Sequence, residues 1–392
     1  MRYFATALPG LHPVLAREIE ALRGARAAPL REFDGRNDVV SFTARGSGGL
    51  IGLRTAEDAY AEVSSVHGQE RLGAVVGGLW NQQGLERALS AYAGVHPLRA
   101  RMTFRVVARV RSEQRFLRTE LRDELVRRVL QTRSRWRLAD PADLELWVLE
   151  TSTGQFRLGI RLSSASMRHR TGRPTERPGA LRPTVAAAMA YLAHASSPDQ
   201  PPGTSNPAPG SGKVAGKVLL DPCCGSGTVL AEAAAQGWDP VGGDLDPAAI
   251  EATRQNLGRT ARHFRADVRR LPLAGASVAA VASNLPFGRK YELQGDPEHW
   301  FAATLGELAP GDTTGWEHRA AGAEIPGVRA GVGAGAGDAV DRPAGPPVTG
   351  HEDRPLDVSP AVSPGLARPV RDGRSWRRCR ARPTRSWRRR GR

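Results

Sequence analysis

Apolar and polar residues alternate strictly over Met102–Val110. Met102, Phe104, Val106, Ala108 and Val110 share one side; Arg101, Thr103, Arg105, Val107 and Arg109 share the other. That period of two predicts a half-buried strand with a largely basic outer face. Elsewhere in the first half the pattern switches between short apolar runs and helical spacing. Arg2–Leu8, Val39–Phe42 and Ala56–Val66 read as strands, and Leu144–Leu149 with Phe156–Leu162 as a hairpin around Gly154. Helical spacing appears at Gly10–Leu22 (Leu11, Val14, Leu15, Ile19, Leu22), at 83–94 (Leu85, Leu89, Tyr92) and at Arg118–Leu130 (Leu121, Leu125, Val129).

From Val218 onward, strands and helices take turns. Val218–Leu220, Pro240–Gly243, Phe264–Asp267 and Val278–Ala282 read as strands, and Thr228–Gln236, Ala248–Leu257 and Trp300–Leu308 as helices. Such alternation predicts a parallel, doubly wound sheet. Between the halves, residues 196–212 are rich in Pro, Gly and Ser and read as a flexible loop. Gly210-Ser211-Gly212-Lys213 only imitates a phosphate loop, since Val214 stands where a magnesium-holding Ser or Thr belongs.

Composition narrows the class. The 392 residues carry a net charge of +16 and three cysteines. Three cysteines exclude a disulfide framework, so a reduced cytoplasmic setting is expected. No Cys/His spacing fits a metal site, and no apolar stretch is long enough to span a membrane. Residues 371–392 hold eleven Arg and one acid, leaving +6 for the rest of the chain. The body's own case for a polyanion lies in Arg99–Arg137, with thirteen Arg against four acids. Because the excess runs over a strand, a loop and a helix, it reads as a polyanion surface.

Candidate chemistry clusters in the second half. Asp221-Pro222-Cys223-Cys224-Gly225-Ser226-Gly227-Thr228 joins a strand to a helix, where glycines admit a ligand close to the backbone. The third Gly of a dinucleotide fingerprint is missing, since Leu230 takes its place. Asp244 ends the second strand, where a carboxylate accepts hydrogen bonds from both ribose hydroxyls. Asp246 reads as the N-cap of the next helix, with Pro247 at its first position. Asp267 ends the third strand, within reach of an adenine amine. After the fourth strand comes Asn284-Leu285-Pro286-Phe287-Gly288. Its Asn side-chain carbonyl and Pro286 backbone carbonyl suit the two hydrogens of an exocyclic amine, and Phe287 a base face. Holding the nitrogen lone pair toward an electrophilic methyl is mainly a positioning task.

These motifs, with Glu232, resemble the class I S-adenosylmethionine-dependent methyltransferases that modify amines on bases. Phe4–Gly10, Leu53–Asp58, Thr103–Arg109 and Gly159–Ser163 are placed as in THUMP-domain RNA-modification enzymes, and the nearest likeness is to tRNA guanine-N2 methyltransferases of the acceptor stem. The resemblance covers roughly residues 1–309. It implies an α/β chain: a ferredoxin-like region (1–70), a THUMP RNA-binding domain (71–165) and a Rossmann-like methyltransferase domain (166–309). It further implies S-adenosylmethionine as cofactor and tRNA or another structured RNA as partner. Asp221, Gly225, Gly227, Asp244, Asp267, Pro183 and Thr184 would bind the cofactor, the last two in a segment folded over its methionine end. Asn284, Pro286 and Phe287 would hold a flipped base. Arg101, Arg105, Arg109, Arg115, Arg118 and Arg122 are the candidates for RNA backbone contacts.

Past Pro310 the pattern collapses into Gly, Pro, Ala and Arg. The expected sheet is therefore truncated after its fourth strand, followed by a disordered tail (310–392). Such a run is what a GC-rich gene gives when read out of frame; a genuine RNA-binding tail is the competing account. With an exposed fourth strand, the chain as written is expected to be poorly stable or inactive. The alternatives are the same chemistry on ribosomal RNA, a catalytically dead RNA-binding protein, and a DNA adenine-N6 methyltransferase. Leu285 and the N-terminal likeness count against the last.

Overall fold

A computed structural model describes residues 1–29, 31–170, 174–195, 217–274, 277–286 and 295–309. The expectations for 196–212, 310–392 and Phe287 fall outside these residues.

The N-terminal half builds one mixed sheet. Its elements are β1 (Arg2–Ala7), α1 (His12–Glu20), β2 (Arg26–Ala27), β3 (Glu32–Phe33), β4 (Asp38–Thr43), β5 (Asp58–Val66), α2 (Leu72–Leu79), α3 (Gln82–Ala93), β6 (Thr103–Arg109), α4 (Arg118–Thr132), β7 (Arg137–Leu138), β8 (Leu144–Ser152) and β9 (Gln155–Arg161). Strand order is β2-β4-β1-β5-β9-β8-β6-β7, with β3 paired to β4. The sheet does not stop near residue 70. β5 pairs antiparallel with β1 on one side and with β9 on the other, so both parts share a single sheet and core.

The alternation read over 102–110 is realised in β6, where Phe104, Val106 and Ala108 are buried and the intervening residues half-buried. Helices α1 to α4 pack on that apolar face. Leu121, Leu125 and Val129 of α4 are fully buried, and burying each contributes roughly 1.5–3 kcal/mol. The other face is covered by Phe4, Val39, Tyr60 and Leu149, with the Phe4 and Tyr60 rings stacked 4.7 Å apart. Gly159 has no side chain because the Phe4 ring lies there: a Cβ would meet it at 2.6 Å.

α5 (Ala165–His169) and α6 (Pro183–Ala195) lead to the second sheet, formed with β10 (Val218–Asp221), α7 (Thr228–Ala235), β11 (Asp239–Asp244), α8 (Pro247–Leu257), β12 (Arg262–Arg265), β13 (Ala280–Val281) and α9 (Pro297–Leu308). Among the described residues it has four parallel strands, ordered β12-β11-β10-β13. The order reverses between β10 and β13, and ligand crevices open at such a switch point. β12 begins two residues earlier than the expected Phe264–Asp267. Phe264 pairs with Gly243, where a Cβ would meet its ring at 2.9 Å, and Asp267 consequently falls in the turn beyond.

The two sheets are joined through a buried charge. Glu232 of α7 is 2% exposed and accepts from Arg54 Nε at 2.7 Å and from Arg170 Nε at 2.9 Å. Arg170 also donates to the Arg54 carbonyl.

Candidate active site

The turn after β10 opens the crevice. Gly225 (φ +56°) and Gly227 (φ +79°) both adopt left-handed backbone that favours glycine. Their surroundings differ. A Cβ on Gly225 meets nothing within 4 Å, whereas one on Gly227 meets Leu257 Cδ1 at 2.9 Å. Gly225 therefore lines the crevice, and Gly227 starts α7 packed against α8.

Asp244 ends β11 beside that turn. The Gly225 amide donates to its Oδ2 at 2.9 Å and the Asp246 amide to its Oδ1 at 3.0 Å. Asp246 caps α8, accepting from Ala248 at 2.8 Å, with Pro247 at the first helical position, as the sequence predicts.

Asp221 is 2% exposed and accepts from Ser283 Oγ at 2.7 Å and the Cys223 amide at 3.2 Å. Burial, reinforced by the nearby Asp244 charge, pushes its carboxyl up to about 7 against those two hydrogen bonds. Burial also raises both neighbouring thiols, Cys224 to about 12, so neither is a nucleophile at neutral pH. Cys224 serves as packing, its Sγ 3.6 Å from Thr253 Oγ1.

Asp244, Asp221, Gly225, Asp267, Asn284 and Pro286 all line one cleft of about 580 Å³. Asn284 follows β13 and its Nδ2 donates to the Gly179 carbonyl at 3.4 Å. Asp267 is held below the usual carboxylate range, chiefly by hydrogen bonds from the Arg269 side chain. Pro183 and Thr184 lie outside this wall. Both are buried at the start of α6, and Thr184 donates to Glu57, just before β5, at 2.7 Å. The cleft instead takes the preceding Arg177–Leu181 as a wall, and Trp300 of α9 as another. Of those residues only Leu181 belongs to the segment Leu181–Thr184 that the sequence likeness places over the cofactor; Arg177–Ala180 and Trp300 reach the cleft through tertiary packing alone.

The arginines divide into two groups. Arg101, Arg115, Arg118 and Arg122 are exposed. Arg105 pairs with Asp140 and Glu145, and Arg109 pairs with Asp34 beneath its cation–π contact to Trp147. Among the described residues no cluster of His, Cys, Asp or Glu could hold a metal, and no helix is long and apolar enough to cross a membrane.

Comparison with known proteins supports the methyltransferase reading. Residues 209–321 match the family model described as RMKL-like, methyltransferase domain. A bovine (Bos taurus) U6 snRNA (guanine-N(2))-methyltransferase, THUMPD2, is 34% identical over 124 residues, 30% of this chain and 21% of that protein. A tRNA (guanine(10)-N2)-dimethyltransferase of Methanothermobacter thermautotrophicus is 33% identical over 147 residues, 34% of this chain and 37% of that one. The matched segment thus spans well under half of these relatives. The crystal structure of TrmN from Thermus thermophilus superposes with a TM-score of 0.57 at 25% identity, covering 79% of this chain and 85% of that one. Residues 209–321 thus match a methyltransferase-domain model, in a chain that resembles the THUMP-type guanine-N2 methyltransferases.

Proposed function

We propose that the chain methylates the exocyclic N2 of a guanosine in tRNA, in the acceptor stem, with S-adenosylmethionine as donor. The observation that carries this reading is that Asp244 and Asn284 line one cleft at the switch point of a parallel sheet. The donor set fits the cofactor. The cleft volume of about 580 Å³ lies within the range of small-molecule sites, roughly 300–1,000 Å³. Gly225 leaves room for close approach, and the buried Asp221 carboxyl gains most from a cationic neighbour such as an ammonium.

When bound, S-adenosylmethionine supplies the electrophilic methyl group. The protein's own part is to bind and orient. Asp221 holds the amino group, Asp244 the ribose hydroxyls, Asp267 the adenine amine. Asn284 Oδ1 and the Pro286 carbonyl accept the two N2 hydrogens, turning the nitrogen lone pair toward the methyl. The sequence assigns Phe287, outside the described residues, to the flipped base, and flipping costs a few kcal/mol. Residues 71–165 hold the RNA through its backbone, with Arg101, Arg115, Arg118 and Arg122 as exposed contacts, while Arg105 and Arg109 are engaged by acids of the chain itself.

The test is transfer of tritiated methyl from S-adenosylmethionine to tRNA, U6 and ribosomal RNA, with nucleoside mapping. Labelled N2-methylguanosine in tRNA is expected, and Asn284→Ala should lower turnover about 100-fold with cofactor affinity unchanged. Tight RNA binding without cofactor affinity or transfer would overturn the reading and leave the inactive RNA-binding protein that the truncation expected from the sequence would give.

A further inference from the structure

We propose that Asn256 is a positioning residue: it fixes the strap Thr175–Leu181 against the Gly225 turn, so that Gly179 orients the Asn284 amide. The inference rests on the methyl-transfer reading above and names a residue outside the cleft wall.

Asn256 lies near the end of α8. Its Nδ2 donates to the Ser226 and Thr175 carbonyls, both at 2.8 Å, while its Oδ1 accepts the Thr175 amide at 3.1 Å. Two donors and one acceptor are engaged at once. Only an amide offers that set; a carboxylate would face two carbonyls with no hydrogen to give. Ser226 belongs to the turn that Asp244 grips through Gly225, so Asn256 ties the strap to the same turn.

The strap then carries the constraint to the reacting centre. Arg177 pairs with Asp246, and the chain reverses at Gly179 (φ +87°), closed by the Ala180 amide on the Arg177 carbonyl at 3.1 Å. Gly179 thereby presents its carbonyl to Asn284 Nδ2. An amide has two unlike ends. With Nδ2 engaged at Gly179, Oδ1 is the end left for an amine hydrogen. If the strap moves away, the amide is free to flip, and a flipped amide offers N–H to N–H. The strap thus decides whether Asn284 can accept.

The experiment compares the full chain with its Asn256→Asp and Asn256→Leu variants. Three quantities are read: methyl-transfer kinetics on tRNA, S-adenosylmethionine affinity by calorimetry, and hydrogen exchange at the Thr175 and Ala180 amides. Expected are a kcat lower by about 10- to 100-fold, cofactor affinity and RNA KM within about 3-fold, and strap amides exchanging at least about 10-fold faster. The milder Asp variant, with a thermal melt, covers the case in which the Leu variant fails to fold. A wild-type kcat despite faster exchange overturns the proposal, as does unchanged exchange. Cofactor affinity falling in step with kcat overturns it too, since Asn256 would then only support the Gly225 turn. A wild-type chain that transfers no methyl group overturns the function reading itself, and only an active wild type with insensitive variants refutes the strap alone.

Discussion

The Gly225 amide donates to Asp244 Oδ2 across the gap between the first two strands of the second sheet, at 2.9 Å. One carboxylate thus shapes the glycine turn from inside the cleft it lines. Removing it strips a charged acceptor from two backbone N–H groups, and each such bond contributes about 1.5–3 kcal/mol. Asp244→Ala should weaken S-adenosylmethionine binding at least about 30-fold by calorimetry. Asp244→Asn, which keeps one acceptor, should fall between.

Asp221 makes the molecule pH-sensitive near neutrality. Its folded-state pKa of about 7 stands above the ordinary 3.8, so the native state holds this proton more tightly than the unfolded chain. Its contribution to stability is complete below pH 4 and lost as pH rises through 7, a change on the order of 4 kcal/mol. Asp221→Asn should therefore melt higher than wild type at pH 8 and alike at pH 4. Cofactor affinity should rise between pH 6 and 8 in the wild type and stay flat in the variant.

The two glycines of the turn should separate stability from binding. Gly227→Ala forces a Cβ against Leu257 and Thr253 at positive φ, costing about 1–3 kcal/mol in urea unfolding. Gly225→Ala, with open space around it, should cost about 1 kcal/mol. Its larger loss should appear in cofactor affinity.

Glu232 sits between two arginines from other parts of the chain. Glu232→Gln leaves Arg54 and Arg170, with side chains 25% and 15% exposed, without their counter-charge. Stability should drop by about 3 kcal/mol, and a double-mutant cycle with Arg54→Gln should recover part of it.

The basic region should respond unevenly. Arg101→Gln and Arg118→Gln should each reduce the salt dependence of RNA binding by about 0.7–0.9 in log–log slope. Arg109→Gln should act on stability instead, because the buried Asp34 carboxylate loses its partner.

Much of this was readable along the chain. The alternation around Phe104 announced β6, and the Asp246–Pro247 pair announced the start of α8, because both signals are local. α2 was not announced. Its sequence, LGAVVGGL, has three glycines and no polar face to give a helical period, and it forms because Val75, Val76 and Leu79 are buried in the core. The sequence likeness points Thr184 toward the cofactor, whereas its buried hydroxyl donates to Glu57, since spacing does not say which neighbour a buried hydroxyl meets.

By itself the sequence determined the longer strands and helices, the glycine turn, and the acidic and amide residues at or just past the strand ends. Those follow from side-chain period, backbone freedom and capping, which act over a few residues. Only the tertiary structure decided that Arg105 and Arg109 are engaged by acids far along the chain, and that one sheet runs through residue 70. It alone decided that Asn256 joins Ser226 to Thr175. Such pairings form between residues at least 30 positions apart, where packing rather than local preference selects the partner.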